Sequence, residues 1–291
     1  MKNILVTGCN GQLGNEIQRI HPEYPYHFIF TDIHNLDITN REQLENIFRD
    51  NSIDFIINCA AYTNVNKAES DIENCNLLNK TAPGLLAEFA TKYKSFLIHV
   101  STDYVFDGTN HKPYTESDAT QPISVYGKSK LDGEIEIIYN AKRAVIIRTS
   151  WLYSSFGNNF VKTMLNVGLE KGELKVVYDQ VGTPTYAGDL AKAILNIIPQ
   201  TDKIKQVEIF NFSNEGVCSW YDFAKEIIDI SQIKCSVFPV TSQAFPTPVK
   251  RPHYSVLSKE KIKQFFNLEI PYWKDSLKEC LKKIPRNNLK K

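Results

Sequence analysis

Through the first half of the chain short apolar runs alternate with apolar residues at helical spacing, which predicts strands near residues 3 to 7, 27 to 31, 54 to 58, 95 to 100 and 144 to 148 with helices between them. Phe55-Ile56-Ile57 and Val145-Ile146-Ile147 are apolar throughout, as expected of parallel strands covered on both faces. After Asp37-Ile38, the run Thr39-Asn40-Arg41-Glu42 has capping-box spacing, and Leu44, Ile47 and Phe48 mark the buried face of the helix that follows. This alternation implies an α/β fold with a doubly wound parallel sheet.

Beyond Ser150 the pattern loosens. It predicts a helix near 158 to 170, a strand from Leu174 to Tyr178, a helix from Asp189 to Ile198, and a strand from Val207 to Phe212 that returns to the main sheet. A helix near 219 to 230, a Pro-rich segment from Phe245 to Pro252 and amphipathic stretches near 258 to 266 and 272 to 283 complete the chain. Two units are expected: residues 1–150 as a dinucleotide-binding domain and residues 151–291 as a smaller C-terminal substrate lobe, with roughly 183–213 returning to the first.

The 291 residues carry a formal net charge of +1, so there is no broad basic field for nucleic acid. The basic tail Lys282, Lys283, Arg286, Lys290 and Lys291 reads as a solvated, frayed end. Six cysteines without C-x-x-C spacing or accompanying histidines read as reduced thiols, and no metal site is expected. The N-terminus runs straight into a strand without a leader, and no apolar stretch approaches a membrane span, which points to the cytoplasm.

Candidate chemistry begins at Gly8-Cys-Asn-Gly11-Gln-Leu-Gly14, between the first strand and a helix marked by Leu13 and Ile17. Glycines there allow a tight turn, backbone approach to a pyrophosphate and close helix–strand packing, while helix N-terminal amides face the anion. Asp32 ends the second strand, where a carboxylate accepts from adenosine ribose hydroxyls and repels a 2′-phosphate. No Arg or Lys lies between Thr31 and Asn40, which favours NADH over NADPH.

Tyr126 and Lys130 are four residues apart and share a helix face. An ammonium beside a phenol of ordinary pKa about 10 lowers that value, and Lys130 is also placed to contact a nicotinamide ribose. Thr102 stands at the carboxyl end of the fourth strand, where a doubly wound sheet places its ligand crevice. Its hydroxyl can bond the same carbonyl oxygen that Tyr126 protonates. Trp151 and Trp220 offer aromatic surface, and Arg251, followed by Pro252, a planar fork for phosphate.

Together, the glycine turn, Asp32, Asn58-Cys-Ala-Ala61, Thr102 and Tyr126 to Lys130 resemble the extended short-chain dehydrogenase/reductase superfamily, with its Rossmann-type sheet. Ala61 to Glu69, Ser101 to Gly108, Arg148 to Trp151, Asp179 to Thr185, Ser213 to Trp220, and Arg251-Pro252 with Ser255 and Leu257 are similar to the dTDP-4-dehydrorhamnose reductases across nearly the whole chain. That resemblance implies Thr102, Tyr126 and Lys130 as the catalytic set and a dTDP-4-keto-6-deoxy sugar as substrate, reduced at C4 with NADPH or NADH. It implies Thr63, Val65, Tyr104 and Trp151 in the sugar pocket. For the dinucleotide it implies Gly8, Asn10, Gly11, Gln12, Leu13, Gly14, Asp32, Asp37, Ile38, Ala60, Ala61, Tyr62 and Asn79. Asn66 stands where the family usually has Asp, and Cys59 where it usually has Ala. Both are small changes, with Asn66 bearing only on local hydrogen bonding.

Two rivals stay open: a nucleotide-sugar epimerase of the same superfamily, which would copurify with tightly held NAD, and a non-catalytic nucleotide-binding regulatory protein, which would bind cofactor without turnover. A dehydratase is disfavoured because Tyr104 stands where elimination needs an acid. The resemblance also leaves a homodimer open. Some similar enzymes bind a divalent metal at a dimer contact, and Glu16, a lone carboxylate, does not define one.

Overall fold

Five strands, β1 (Lys2–Thr7), β2 (Tyr26–Thr31), β3 (Phe55–Asn58), β4 (Phe96–Thr102) and β5 (Ala144–Thr149), join the strand Val207–Phe212 in one sheet. The structure is a computed structural model and describes residues 1–285, so Arg286, Lys290 and Lys291 of the basic tail lie outside the described residues. The spatial order is β2-β1-β3-β4-β5 and then Val207–Phe212, with every neighbouring pair parallel. Strand order reverses between β1 and β3, so the crevice at their carboxyl ends is the switch point where such sheets take ligands.

Alternate side chains of each strand supply opposite cores. Ile4, Val6, Ile57, Ile98 and Ile147 pack against Leu13 and Ile17 of helix Gln12–Ile20 and against Leu190 and Ile194 of helix Ala187–Ile197. On the other face, Leu5, Ile56, Leu97 and Ile146 meet Leu44 and Phe48 of helix Arg41–Asn51 and Leu86 and Phe89 of helix Ala82–Tyr93. Full burial of each such side chain is worth about 1.5–3 kcal/mol, so the sheet is held from both sides.

The capping of Arg41–Asn51 differs from expectation by one residue. Asn40 is the cap, its side chain accepting from the amides of Glu42 and Gln43. Thr39 turns to Asp37 instead, whose Oδ1 accepts from its hydroxyl, at 2.7 Å, and from its amide, at 2.9 Å.

The second half adds short two-stranded pairs: Glu173–Val177 with Ser236–Val240, Val181–Gly182 with Cys218–Ser219, and Leu152–Tyr153 with Thr185–Tyr186. Ser236–Val240 was not predicted, because its side chains are mostly solvent-facing and Pro239 interrupts the pattern. A third core, including Tyr153, Val161, Leu165, Phe223, Ile227, Trp273 and Leu277, sits beneath these elements. Among the described residues no helix is long and apolar enough to cross a membrane.

Candidate active site

The turn after β1 is built around Gly8, whose φ is +63°; a Cβ there would lie 2.7 Å from Ala60 Cα, so the β1 and β3 ends can approach only with glycine. Gly11 is the N-cap of Gln12–Ile20 and no side chain caps that helix, which leaves its first-turn amides free to face an anion. Leu13 is buried in the core and Gly14 packs against the Cys9 backbone, so both offer main chain only. Asp32 is fixed by two amides, Asn10 N–H donating to Oδ2 at 3.0 Å and Ile33 N–H to Oδ1 at 2.8 Å. Among the described residues Asp32 forms no ion pair, as its sequence neighbourhood suggests. This cradle fits a dinucleotide.

Other expected cofactor contacts are engaged within the protein. Gln12 Oε1 accepts from Asn159 Nδ2 at 2.9 Å, and Ile38 is buried beside Leu36, while Asp37 holds Thr39. Ala60, Ala61 and Tyr62 continue from β3 along the crevice. Asn79 is wholly buried: its Oδ1 accepts from Tyr62 N–H at 2.9 Å, and its Nδ2 donates to Tyr62 O and Ser129 Oγ, each at 3.0 Å. It ties this segment to the Tyr126 helix, with its side chain turned inward.

Helix Val125–Asn140 is capped by Ser124, which accepts from Gly127 N–H at 3.1 Å. A Cβ on Gly127 would fall 2.2 Å from Tyr104 O, so the glycine inside the Tyr-Gly-Lys-Ser-Lys motif lets the helix start touch the turn after β4. Tyr104 and Tyr126 consequently meet edge to face at 5.5 Å. Thr102 Oγ1 donates to Asp103 Oδ1 at 3.0 Å and accepts from Tyr104 N–H at 3.2 Å, and its hydroxyl also lies beside the Tyr126 phenol.

The expected lowering of the Tyr126 pKa is not what this geometry gives. Burial dominates and holds the phenol above its ordinary value, with the Thr102 hydroxyl a partial offset. Lys130 is anchored to β4 instead, donating to Val100 O at 2.7 Å and lying 3.2 Å from His99 Nε2. Burial pulls its own pKa down to about 8, against the opposing pull of Glu134.

Three partners of this set escaped the motif reading. Asp103 is buried, its Oδ2 has no partner, and burial lifts its pKa to about 7. Glu134 pairs with Arg148 inside the protein, and His99 is fully buried beside Lys130. Tyr126, Lys130 and Glu134 recur every four residues, so a charged group on the buried face of that helix was a usable signal.

On the substrate side, Arg251 Nη1 lies 3.4 Å from Tyr104 OH. Trp151 and Trp220 stack at 3.6 Å with an interplanar angle of 11°. Thr63 is exposed and Val65 starts the short helix Val65–Ala68. Their segment is tied to the Tyr126 helix through Val125 N–H, which donates to Glu69 Oε1 at 2.9 Å. The structure thus groups Thr102, Tyr104, Tyr126, Lys130 and Arg251 closely, with the tryptophan pair and the Thr63 segment carried by other elements. A cavity of about 1080 Å³ lined by Leu165, Lys192, Ile233 and Leu281 contains none of them. Glu16 is wholly buried, its carboxylate committed to Ser154 at 2.6 Å, to Arg19 and to Tyr186 at 3.4 Å. Among the described residues no cluster of three His, Cys, Asp or Glu side chains could hold a metal.

A parallel sheet with a glycine turn at its switch point, Thr102 at the end of β4, and Tyr126 and Lys130 on the helix Val125–Asn140 defines an oxidoreductase of the short-chain dehydrogenase/reductase class. The family model for the RmlD substrate binding domain matches residues 1–286, and the chain belongs to that family. It is 38% identical to the dTDP-4-dehydrorhamnose reductase of Aggregatibacter actinomycetemcomitans, over 96% of this chain and 98% of the relative. It is similar to a solved dTDP-4-dehydrorhamnose reductase from Clostridium acetobutylicum at a TM-score of 0.92 and 43% identity, covering 96% of this chain and 98% of that one. A Bacillus anthracis dTDP-4-dehydrorhamnose reductase solved in complex with NADP also gives a TM-score of 0.92, at 36% identity over 97% and 99% of the two chains.

Proposed function

We propose that the protein reduces the C4 keto group of dTDP-4-dehydro-L-rhamnose to give dTDP-L-rhamnose. The observation that carries this reading is the junction of Thr102 with Tyr126 across the close contact of Gly127 and Tyr104. When bound, NADPH or NADH supplies the hydride. Tyr126 donates its proton to the C4 oxygen as negative charge grows there, and Thr102, its one hydroxyl proton turning from Asp103 Oδ1 to the substrate, donates a second hydrogen bond to that oxygen. Burial suits Tyr126 to the acid role, because it keeps the phenol protonated until a developing alkoxide of higher basicity draws the proton. Lys130 holds the nicotinamide ribose.

Gly8, Asn10, Gly11, Gln12, Leu13 and Gly14 receive the pyrophosphate, Asp32 the adenosine ribose, and Asp37, Ile38, Ala60, Ala61, Tyr62 and Asn79 complete that wall. Thr63, Val65, Tyr104, Trp151 and Trp220 frame the sugar, and Arg251 faces the substrate pyrophosphate. Of these six, Trp151, Trp220 and Arg251 come from the part of the chain after residue 150. The near-balanced charge and six free thiols support a cytoplasmic enzyme with a small-molecule partner and no nucleic acid, working as a monomer or homodimer.

Isotope transfer tests the reaction. With cofactor deuterated at the nicotinamide C4, one deuterium is expected at C4 of the product sugar for each cofactor oxidised. Unlabelled product, or turnover without net cofactor oxidation as in an epimerase, would overturn the assignment.

A further inference from the structure

His99 is wholly buried on β4 beside Lys130, and its two ring nitrogens are both engaged. Nε2 is 3.2 Å from Lys130 Nζ, and Nδ1 is 3.0 Å from Asn58 Nδ2. The orientation of Asn58 is set from beyond: its Oδ1 accepts from the Ala60 main-chain N–H at 3.1 Å and from the Thr7 hydroxyl at 2.7 Å. A main-chain N–H only donates, so turning the amide would set its NH₂ against Ala60 N–H inside the protein. The Asn58 NH₂ therefore faces His99, and Nδ1 is the acceptor.

A neutral imidazole carries one proton, and burial keeps His99 neutral. With Nδ1 accepting, that proton sits on Nε2 and points at Lys130. An ammonium has no lone pair to receive it, whereas a neutral amine accepts it and still donates to Val100 O. We propose that His99 is a positioning residue: as the Nε2–H tautomer it favours the neutral amine of Lys130 over the ammonium in the ligand-free protein, so that the lysine gives up its proton more readily. Thr7, Asn58 and His99 thereby set the proton count at the lysine.

Burial disfavours the ammonium, and the neighbouring groups oppose it only in part. Glu134 on the same helix favours the ammonium, but its carboxylate is already matched by Arg148 from β5 at 2.7 Å and by the Ser101 hydroxyl from β4 at 2.5 Å. Cys75, from the helix Ile72–Asn76, is the other titratable neighbour, and it too favours the ammonium. Burial therefore decides, and it holds Lys130 near 8.

The importance of this proton count rests on the reductase reading, but the tautomer does not, and it is measured without turnover. Imidazole ¹⁵N spectra of the ligand-free protein, with His99 assigned by its loss in His99→Phe, are expected to show a protonated Nε2 and an unprotonated Nδ1 at about pH 9, where the Lys130 amine predominates. The Lys130 ¹³Cε resonance, assigned with Lys130→Met, is expected to titrate near 8. In Asn58→Asp the new carboxylate accepts a hydrogen bond from Nδ1–H, so that Nε2 accepts from the ammonium, and the Lys130 titration is expected to rise by about one unit or more. An Nδ1–H tautomer or an imidazolium at His99, or a wild-type Lys130 titrating near its ordinary value of about 10, would overturn the proposal. The wild-type spectra decide even where a variant fails to fold.

Discussion

Arg148 and Glu134 meet at 2.7 Å with both side chains almost wholly removed from solvent. The pair joins β5 to the Tyr126 helix one turn beyond Lys130, so it braces that helix against the sheet. Removing one member of a buried pair leaves an uncompensated charge, a loss of about 3–5 kcal/mol. Glu134→Ala is expected to lower the urea midpoint accordingly while the m-value stays constant. An unchanged midpoint would show that the pair contributes nothing to stability.

Asp103 gives stability a pH dependence of defined sign. Its pKa is about 7 in the folded protein against an ordinary 3.8 for an aspartate carboxyl, so between those values the folded state holds a proton that the unfolded chain has released. Its contribution therefore falls as pH rises through that window, by roughly 1.4 kcal/mol per unit of displacement. Asp103→Asn, which cannot ionise, is expected to gain on the wild type between about pH 4 and 7 in paired urea titrations. Parallel stability curves for the two proteins would contradict this.

Asp32 is positioned by the Asn10 and Ile33 amides, and among the described residues it has no cationic partner to offset a 2′-phosphate. Asp32→Ala is expected to shift the ratio of kcat/KM for NADPH over NADH upward by about tenfold or more, about 1.4 kcal/mol of removed repulsion and lost ribose bonding. A ratio that stays constant would remove Asp32 from cofactor discrimination.

Much of the fold was readable from Ile4-Leu5-Val6, Phe55-Ile56-Ile57 and Val145-Ile146-Ile147, because strands buried on both faces leave an unbroken apolar trace. Ser236–Val240 left none, since it pairs at a solvated edge. The Thr39 cap was misplaced because local spacing cannot show that Asp37 captures the threonine hydroxyl. At the site, Tyr126 and Lys130 were visible from their four-residue spacing. Which way Lys130 points was not, because its anchors, Val100 O and His99, lie about thirty residues upstream on a separate strand. The Tyr126 pKa was misjudged for the same reason: the sequence displays charges but not the burial that outweighs them.

Tyr126→Phe tests the proton-donor assignment most directly, since it deletes one hydroxyl and leaves the edge-to-face contact with Tyr104 in place. Reduced-cofactor absorbance is followed with dTDP-4-dehydro-L-rhamnose for wild type and variant, with cofactor binding measured alongside. The expected result is robust wild-type turnover and a variant kcat lower by about 10²–10⁴ with cofactor affinity retained. A wild type that fails to oxidise the cofactor with this sugar, or a variant that turns over undiminished, would contradict it.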